Sequence, residues 1–331
     1  MVVLAVLSFP GCARRTPPNV APIATGSCRS TNLRWLAPSD GRERARLNRW
    51  CAGVGEAATV LRGSIGSDVV ADMSDVVFVS WNVHVGSGDI RSFVRDLRAG
   101  MHTHGRRFPH YVLLLQEAVR TGDVPALAAG AAGAKRIAPH DPIQPIDIVR
   151  VSEELGASLV YVPSMRNGTS AADPAEDRGS AIVSTLPMHV PRAIELPGER
   201  QRRVVISAQI GTFSVAVVHL DALGGANRLR LFWTPRIRDL QVRTTMSALP
   251  DPNGPLVVGA DLNTWHGRDE YAARGLAALF RATPLSIDRH GLGLRVLDYM
   301  FFRAGTNQRA RYRQVEKRYG SDHRPLVGWV E

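Results

Sequence analysis

An α/β fold is predicted by three features of this chain of 331 residues. Short runs of β-branched and aliphatic residues are interspersed with segments of helical periodicity along the whole length. Most of those runs lead directly into a polar, chemistry-bearing residue, as strands do when they deliver side chains to a site at their ends. No internal repeat, heptad pattern or later membrane span competes with this assignment. Hydrophobic content of 44% and charged content of 21% are ordinary for a folded domain with a buried core.

Taken in order, Asp40–Trp50 is dense in Arg and sparse in apolar residues, which predicts a short exposed helix with Asp40 as its N-cap. Val76–Trp81 is a continuous apolar run, the pattern of a strand buried on both faces. Within Asp89–Met101, Ile90, Phe93, Val94 and Leu97 fall at helical spacing, with Asp89 available as N-cap. Tyr111–Leu115 reads as a strand that delivers Gln116 and Glu117, and Ile146–Leu155 reads as a helix. Pro163–Arg178 carries Gly, Ser, Asn, Asp and Pro throughout and is expected to be a long loop on the substrate rim. Ser180–Ser184 is a strand, and Val204–Gln209 with Phe213–Val218 form a hairpin around Gly211. Ala226–Leu249 is helix-like with an interruption at Pro235, and Leu256–Gly259 and Val296–Phe301 are further strands.

The net charge of +11 suits a polyanionic partner such as nucleic acid or an anionic membrane surface. Only Lys135 and Lys317 among the 41 basic residues are lysine, so an Arg-biased coding composition accounts for the charge equally well. The apolar start, Met1–Phe9, is too short to span a bilayer and resembles a secretory leader running into a lipoprotein site at Cys12. The Pro-rich stretch from Thr16 to Pro22 follows as a tether. Export, attachment through lipidated Cys12 and a Cys28–Cys51 disulfide are the expectations. A cytoplasmic protein with three unrelated thiols is the alternative. The expected organisation is a leader and tether over 1–27, an N-terminal extension over 28–73, and the main domain over 74–331.

Six blocks carry the chemistry: Trp81-Asn82-Val83-His84, Gln116-Glu117, Val218-His219-Leu220-Asp221, Gly259-Ala260-Asp261-Leu262-Asn263, Leu297-Asp298-Tyr299 and Ser321-Asp322-His323-Arg324-Pro325. Glu117 is a carboxylate held at the end of an apolar strand, and a hard cation such as Mg²⁺ takes one or two of these while keeping several waters. The Asn82 amide can orient a metal-bound oxygen or a phosphate. Asp261 and Asn263 lie two apart, which in extended chain turns both side chains to one side; an Asx turn would favour the same residue types. A carboxylate beside His323 would fix the imidazole tautomer and favour its cation.

In this order the blocks resemble the endonuclease/exonuclease/phosphatase superfamily, the DNase I-like metal-dependent phosphoesterases, over about residues 74–331. The resemblance implies a four-layer α/β sandwich, two packed mixed β-sheets flanked by helices, with the site at the ends of the central strands. It implies a metal site from Asn82, Glu117 and Asp322, holding Mg²⁺ or Mn²⁺. Asp261 would align or activate the attacking water, Asn82 and Asn263 would contact the phosphate, and His219 would donate to a phosphate oxygen or to the leaving group. Asp298 would orient His323, which contacts the scissile phosphate or serves as base. The implied substrates are nucleic acid, phospholipid head groups or small phosphate esters, and no obligate protein partner is expected. A non-catalytic binding protein on the same fold would show decay of these positions, yet all are present. Two positions depart from the pattern: His84 stands where several relatives have Asp, and Ser180 where Asn is frequent. Phe232-Trp233 is a candidate for entering lipid and is equally explained by helix packing.

Overall fold

The computed structural model describes residues 19–22, 33–54, 59–63, 71–121, 124, 146–166, 176–198, 202–222, 234–249, 253–264, 267–280 and 296–331. Cys12, Cys28, Phe232 and Trp233 lie outside these, as does the side chain of Cys51, and with them the expected anchor and disulfide. The strands in chain order are β1 (Val20–Pro22), β2 (Arg34–Pro38), β3 (Thr59–Leu61), β4 (Val76–Asn82), β5 (His110–Arg120), β6 (Ser158–Arg166), β7 (Asp177–Ser184), β8 (His189–Glu195), β9 (Val204–Ile210), β10 (Phe213–His219), β11 (Leu256–Asp261), β12 (Asp298–Arg303), β13 (Ala310–Gln314) and β14 (Leu326–Val330). The helices are α1 (Gly41–Val54), α2 (Ile90–Arg98), α3 (Ile148–Glu154), α4 (Thr234–Ala248) and α5 (Tyr271–Ala277).

Two seven-stranded mixed sheets result, in the orders β1-β2-β8-β9-β10-β11-β12 and β13-β14-β4-β5-β7-β6-β3. The pairs β4–β5, β10–β11 and β2–β8 are parallel and the remainder antiparallel. Period two explains how they stack. Val76 and Phe78 of β4 join Val112, Leu114, Val215, Val217, Val257 and Met300 in a core between the sheets. The alternate residues Val77, Val79 and Trp81 instead pack under Phe93 and Leu97 of α2 and Val151 of α3. On the far side, Ala216, Val218, Val258 and Ala260 meet Val242 of α4 and Ala272 and Leu276 of α5. Helix, sheet, sheet, helix: this is the DNase I-like four-layer sandwich. Phe78 sits at its centre, edge-on to Phe213 and Phe302 with ring centroids 5.5 and 5.8 Å away.

The local signals acted as expected where packing agreed with them. Asp89 Oδ1 accepts the Ser92 amide and caps α2, while Asp40 Oδ1 accepts the amides of Arg42 and Glu43 at the head of α1. One expectation is corrected. Pro163–Arg166 and Asp177–Arg178 are strand rather than loop, because β6 and β7 pair across a bulge between Pro163 and Met165 that absorbs the proline. Of the helix expected over Ala226–Leu249, α4 is the described part, with Pro235 in its first turn, and residues 226–233 lie outside the described residues. The segment between 34 and 61 contributes to both sheets, β2 pairing with β8 and β3 capping the edge at β6.

Candidate active site

The inter-sheet parity that is apolar along each central strand becomes polar at its last residue. Continuing Val76, Phe78 and Ser80 brings Asn82; continuing Val215 and Val217 brings His219; continuing Val257 and Gly259 brings Asp261. In β12, which runs the other way, Met300 and Phe302 are preceded on the same face by Asp298. Register completes the gathering, with His219 beside Asp261 in the parallel pair and Asp261 beside Asp298 in the antiparallel one. Gly259 allows the sheets to close here, since a Cβ on it would stand 2.7 Å from Leu114 Cβ. Across that contact Asn82 Nδ2 donates to Asp261 Oδ2 at 2.9 Å and joins the two sheets at the mouth.

Glu117 would by strict alternation share the helix-facing side of Leu113 and Leu115. A bulge in β5 between Leu115 and Ala118, with Glu117 at φ +56°, turns it to the mouth, where Oε1 lies 4.0 Å from His219 Nε2. Asp261 Oδ2 is 3.6 Å from the same nitrogen, and Asp261 Oδ1 accepts the Asn263 amide at 2.9 Å. Asn263, at φ +50°, donates one Nδ2 hydrogen to the Leu220 carbonyl. Among the described residues, His84, Glu117 and Asn263 of this site adopt positive φ. Strained backbone thus occurs where side chains must be aimed.

The Ser-Asp-His loop is pinned from several sides. Ser321 Oγ donates to the Asn82 carbonyl and accepts the His323 amide, Trp81 Nε1 donates to the His323 carbonyl, and Arg318 donates to the Asp322 carbonyl. Gly320, at φ +89°, leaves no room for a side chain beside the Ser87 carbonyl. His323 Nδ1 lies 2.7 Å from Asp298 Oδ2. Burial disfavours its cation, yet the Asp298 charge and hydrogen bond, backed by Asp261 and Asp322, raise its pKa to about 10. His219 is the opposite case. Burial, with Arg203, His323 and Arg178 as positive neighbours, pushes it well below the ordinary histidine value. Asp322 Oδ1 is 3.9 Å from His323 Nε2 and 3.1 Å from His84 Nδ1. His84 therefore supports Asp322, whose hydrogen bond raises its pKa against the effect of burial.

All eight expected residues, Asn82, Glu117, His219, Asp261, Asn263, Asp298, Asp322 and His323, fall in one contiguous cluster. Ligand atoms of Asp261, Asp298 and His323 lie within 4.8 Å of one another, but the Asp298–His323 hydrogen bond commits two of the three to each other. The oxygen set of Glu117, Asp322 and the Asn82 amide suits a hard divalent cation better than a soft one. Sequence reasoning missed Arg178 and Arg203, which are both buried. Arg203 Nη1 lies 3.2 Å from His219 Nδ1. The hairpin carried a signal for it, since counting back from the Ile210–Phe213 pair puts Val204 opposite His219 and Arg203 next to it.

Layers and mouth together define a class, the DNase I-like phosphoesterases. A model of the Endonuclease/Exonuclease/phosphatase family matches residues 79–323, well over half of the chain, and the chain belongs to that family of metal-dependent phosphoester hydrolases. A search of curated proteins returns no match. Among solved structures, the human Nocturnin catalytic domain with bound sulfate anion is similar at 17% identity and a TM-score of 0.49, covering 80% of this chain and 95% of that one. An endonuclease/exonuclease/phosphatase family protein from Leptotrichia buccalis is 13% identical with a TM-score of 0.47, covering 77% and 99%. Sphingomyelinase C from Streptomyces griseocarneus is 15% identical with a TM-score of 0.43, covering 76% and 98%.

Proposed function

We propose that this protein is a divalent-cation-dependent phosphodiesterase that cleaves by in-line attack of water on phosphorus, with nucleic acid as its first candidate substrate. The observation that carries the proposal is the junction of the two sheets, where Asn82 holds Asp261 between His219 at 3.6 Å and the Asp298–His323 pair. Asp261, with both oxygens hydrogen-bonded, orients the attacking water. His323, cationic through Asp298, directs Nε2–H at a phosphoryl oxygen and opposes the charge that builds there. Asn263 keeps one amide hydrogen for the same purpose after its bond to Leu220. Glu117, Asp322 and the side-chain oxygen of Asn82, which also accepts the His84 amide, would hold Mg²⁺ or Mn²⁺, and the ion would supply Lewis-acid polarisation of the phosphoryl group. The net charge of +11 supports a polyanionic substrate.

Supercoiled plasmid incubated with the purified protein and Mg²⁺ at low salt provides the test, beside EDTA and His323→Ala controls. Nicking lost in both controls is expected. Absence of nicking by folded protein would eliminate DNA and move the substrate to phospholipid head groups or small phosphate esters. Export with attachment at Cys12 belongs to the same proposal, supported by the apolar run ahead of Gly11-Cys12. Incorporation of labelled palmitate into the wild type and its loss in Cys12→Ala is the corresponding measurement.

A further inference from the structure

We propose that Arg203 is a positioning residue that locks His219 as the Nε2–H tautomer, so that His219 serves as a fixed hydrogen-bond donor to the phosphoryl group and is not the proton source for the leaving group. The proposal deepens the phosphodiesterase function and rests on it for the role of His219, while the tautomer itself is independent of any substrate.

The geometry at Nδ1 decides the matter. Arg203 Nη1 stands 3.2 Å from it, and both residues are buried. A guanidinium has five N–H donors and no acceptor, and it stays protonated in proteins. The only hydrogen bond this contact allows therefore runs from Arg203 to a bare Nδ1. The ring hydrogen must sit on Nε2, the nitrogen that faces Glu117 Oε1 at 4.0 Å and Asp261 Oδ2 at 3.6 Å. At those distances Nε2–H is aimed toward both carboxylates without a short bond to either, leaving it available to a phosphoryl oxygen placed between them. A ring with a lone pair turned to Arg203 and a single N–H turned to the mouth can donate a hydrogen bond; it has no second proton to pass on.

The contact with His323 makes the contrast plain. There a carboxylate, Asp298 Oδ2, meets Nδ1 at 2.7 Å and fixes an Nδ1–H. The same ring nitrogen thus meets an acceptor in one histidine and a donor in the other, which assigns different tasks to two side chains, one at the end of β10 and one in the loop before β14. Arg203 is itself held for this task. Its Nε lies 3.6 Å from Asp221 Oδ1, two residues beyond His219. The Asp221 carbonyl accepts Arg238 Nη1 at 3.3 Å, and the Asp221 amide donates to Gln241 Oε1 at 3.0 Å. Arg238 is anchored in turn by Glu270 at 2.7 Å. A brace thus runs from α4 and the residue before α5 through the His219–Asp221 turn to Arg203, all of it buried.

Long-range ¹H–¹⁵N correlation of uniformly labelled protein, without substrate or metal, reads the tautomer directly, the His219 ring being assigned by its loss in His219→Gln. The expected spectrum has a bare Nδ1 and a protonated Nε2 for His219 in the wild type. Arg203→Met should mix the tautomers and lower kcat on an activated phosphodiester by about 10- to 100-fold, the cost of a misplaced catalytic group, with KM little changed. Arg203→Lys, which still donates, should restore the tautomer and part of kcat. A wild-type Nδ1–H would overturn the proposal, as would an Arg203→Met protein with the wild-type ring pattern and kcat. Should Arg203→Met fail to fold, the wild-type ring and Arg203→Lys decide: a bare Nδ1 in both supports the lock, and an Nδ1–H in either overturns it. Lack of phosphodiesterase activity in the wild type would sink the function while leaving the tautomer result standing.

Discussion

Replacing Gly259 with alanine drives a methyl group into the closest approach of the two sheets. The added carbon would lie 2.7 Å from Leu114 Cβ and 2.9 Å from both Leu114 Cδ1 and Ser80 Oγ. Ordinary contact begins near 3.4 Å, so β11 must move from β4 and β5 by about 0.7 Å. Leu114 Cβ is rooted in the backbone of a fully buried strand, so the strain cannot be shed by turning a side chain. Overpacking of this kind costs about 1–3 kcal/mol. Restricting the unfolded chain by the same substitution returns about 0.4–1 kcal/mol, and the net effect is destabilising. The larger consequence falls two residues on. A 0.7 Å opening would stretch the Asn82–Asp261 bond from 2.9 Å beyond 3.5 Å, where it ceases to be one. A displacement of that size at a catalytic group lowers turnover by about 10²-fold. Urea unfolding and steady-state kinetics on the same sample would show both losses, with the kinetic one exceeding what the unfolded fraction explains. A variant within 0.5 kcal/mol of wild type, on the order of an ordinary surface change, and with unchanged kcat would refute the claim that this glycine sets the sheet spacing for the site.

Two further outcomes follow from the charged groups. Asp298→Asn keeps an oxygen acceptor at His323 Nδ1 but removes the charge that, with Asp261 and Asp322, raises the imidazole to about 10, so its pKa should fall; kcat should fall about 10²- to 10³-fold, and a His323 ring that titrates in the variant's NMR spectrum as it does in the wild type would contradict this. His102, buried against Phe93, hydrogen-bonds the Tyr319 hydroxyl, which in turn donates to Asp96. Burial lowers its pKa, with Asp96 acting the other way. The unfolded chain therefore binds the extra proton more readily, so this contribution is complete above about pH 6.5 and is lost as pH falls through the folded value. Urea midpoints at about pH 7.5 and pH 5.5 should separate more for the wild type than for His102→Gln; equal separations would show that His102 does not titrate in this way.

The central layers were legible because local pattern and tertiary demand agree in them. Val76–Asn82, Phe213–His219 and Leu256–Asp261 are apolar on both faces and end in polar residues, and period two alone assigns Asn82, His219 and Asp261 to the face shared with Phe78, Val217 and Val257. The caps Asp40 and Asp89 were equally local, since each needs only an oxygen within three residues of an amide. Strands β13 and β8, away from the central layers, were not. β13 alternates Arg311 and Arg313 with half-buried neighbours, and β8 contains Pro191; neither has the apolar content to declare itself, and both exist through pairing with β14 and β9.

Amino-acid order by itself determined which residues could do chemistry and at which strand ends they would emerge, because those facts depend on spacing along the chain. What only the tertiary structure decided is how those residues condition one another. Asp322 and His84 meet at 3.1 Å, and Glu117 reaches the mouth only through a bulge. Arg203, one arginine among many in the chain, becomes the partner of His219 because antiparallel pairing of β9 and β10 lays it there and burial removes the water that would otherwise screen it. Charge, tautomer and orientation are properties of neighbours in space, and distance through space is set by the packing of the sheets.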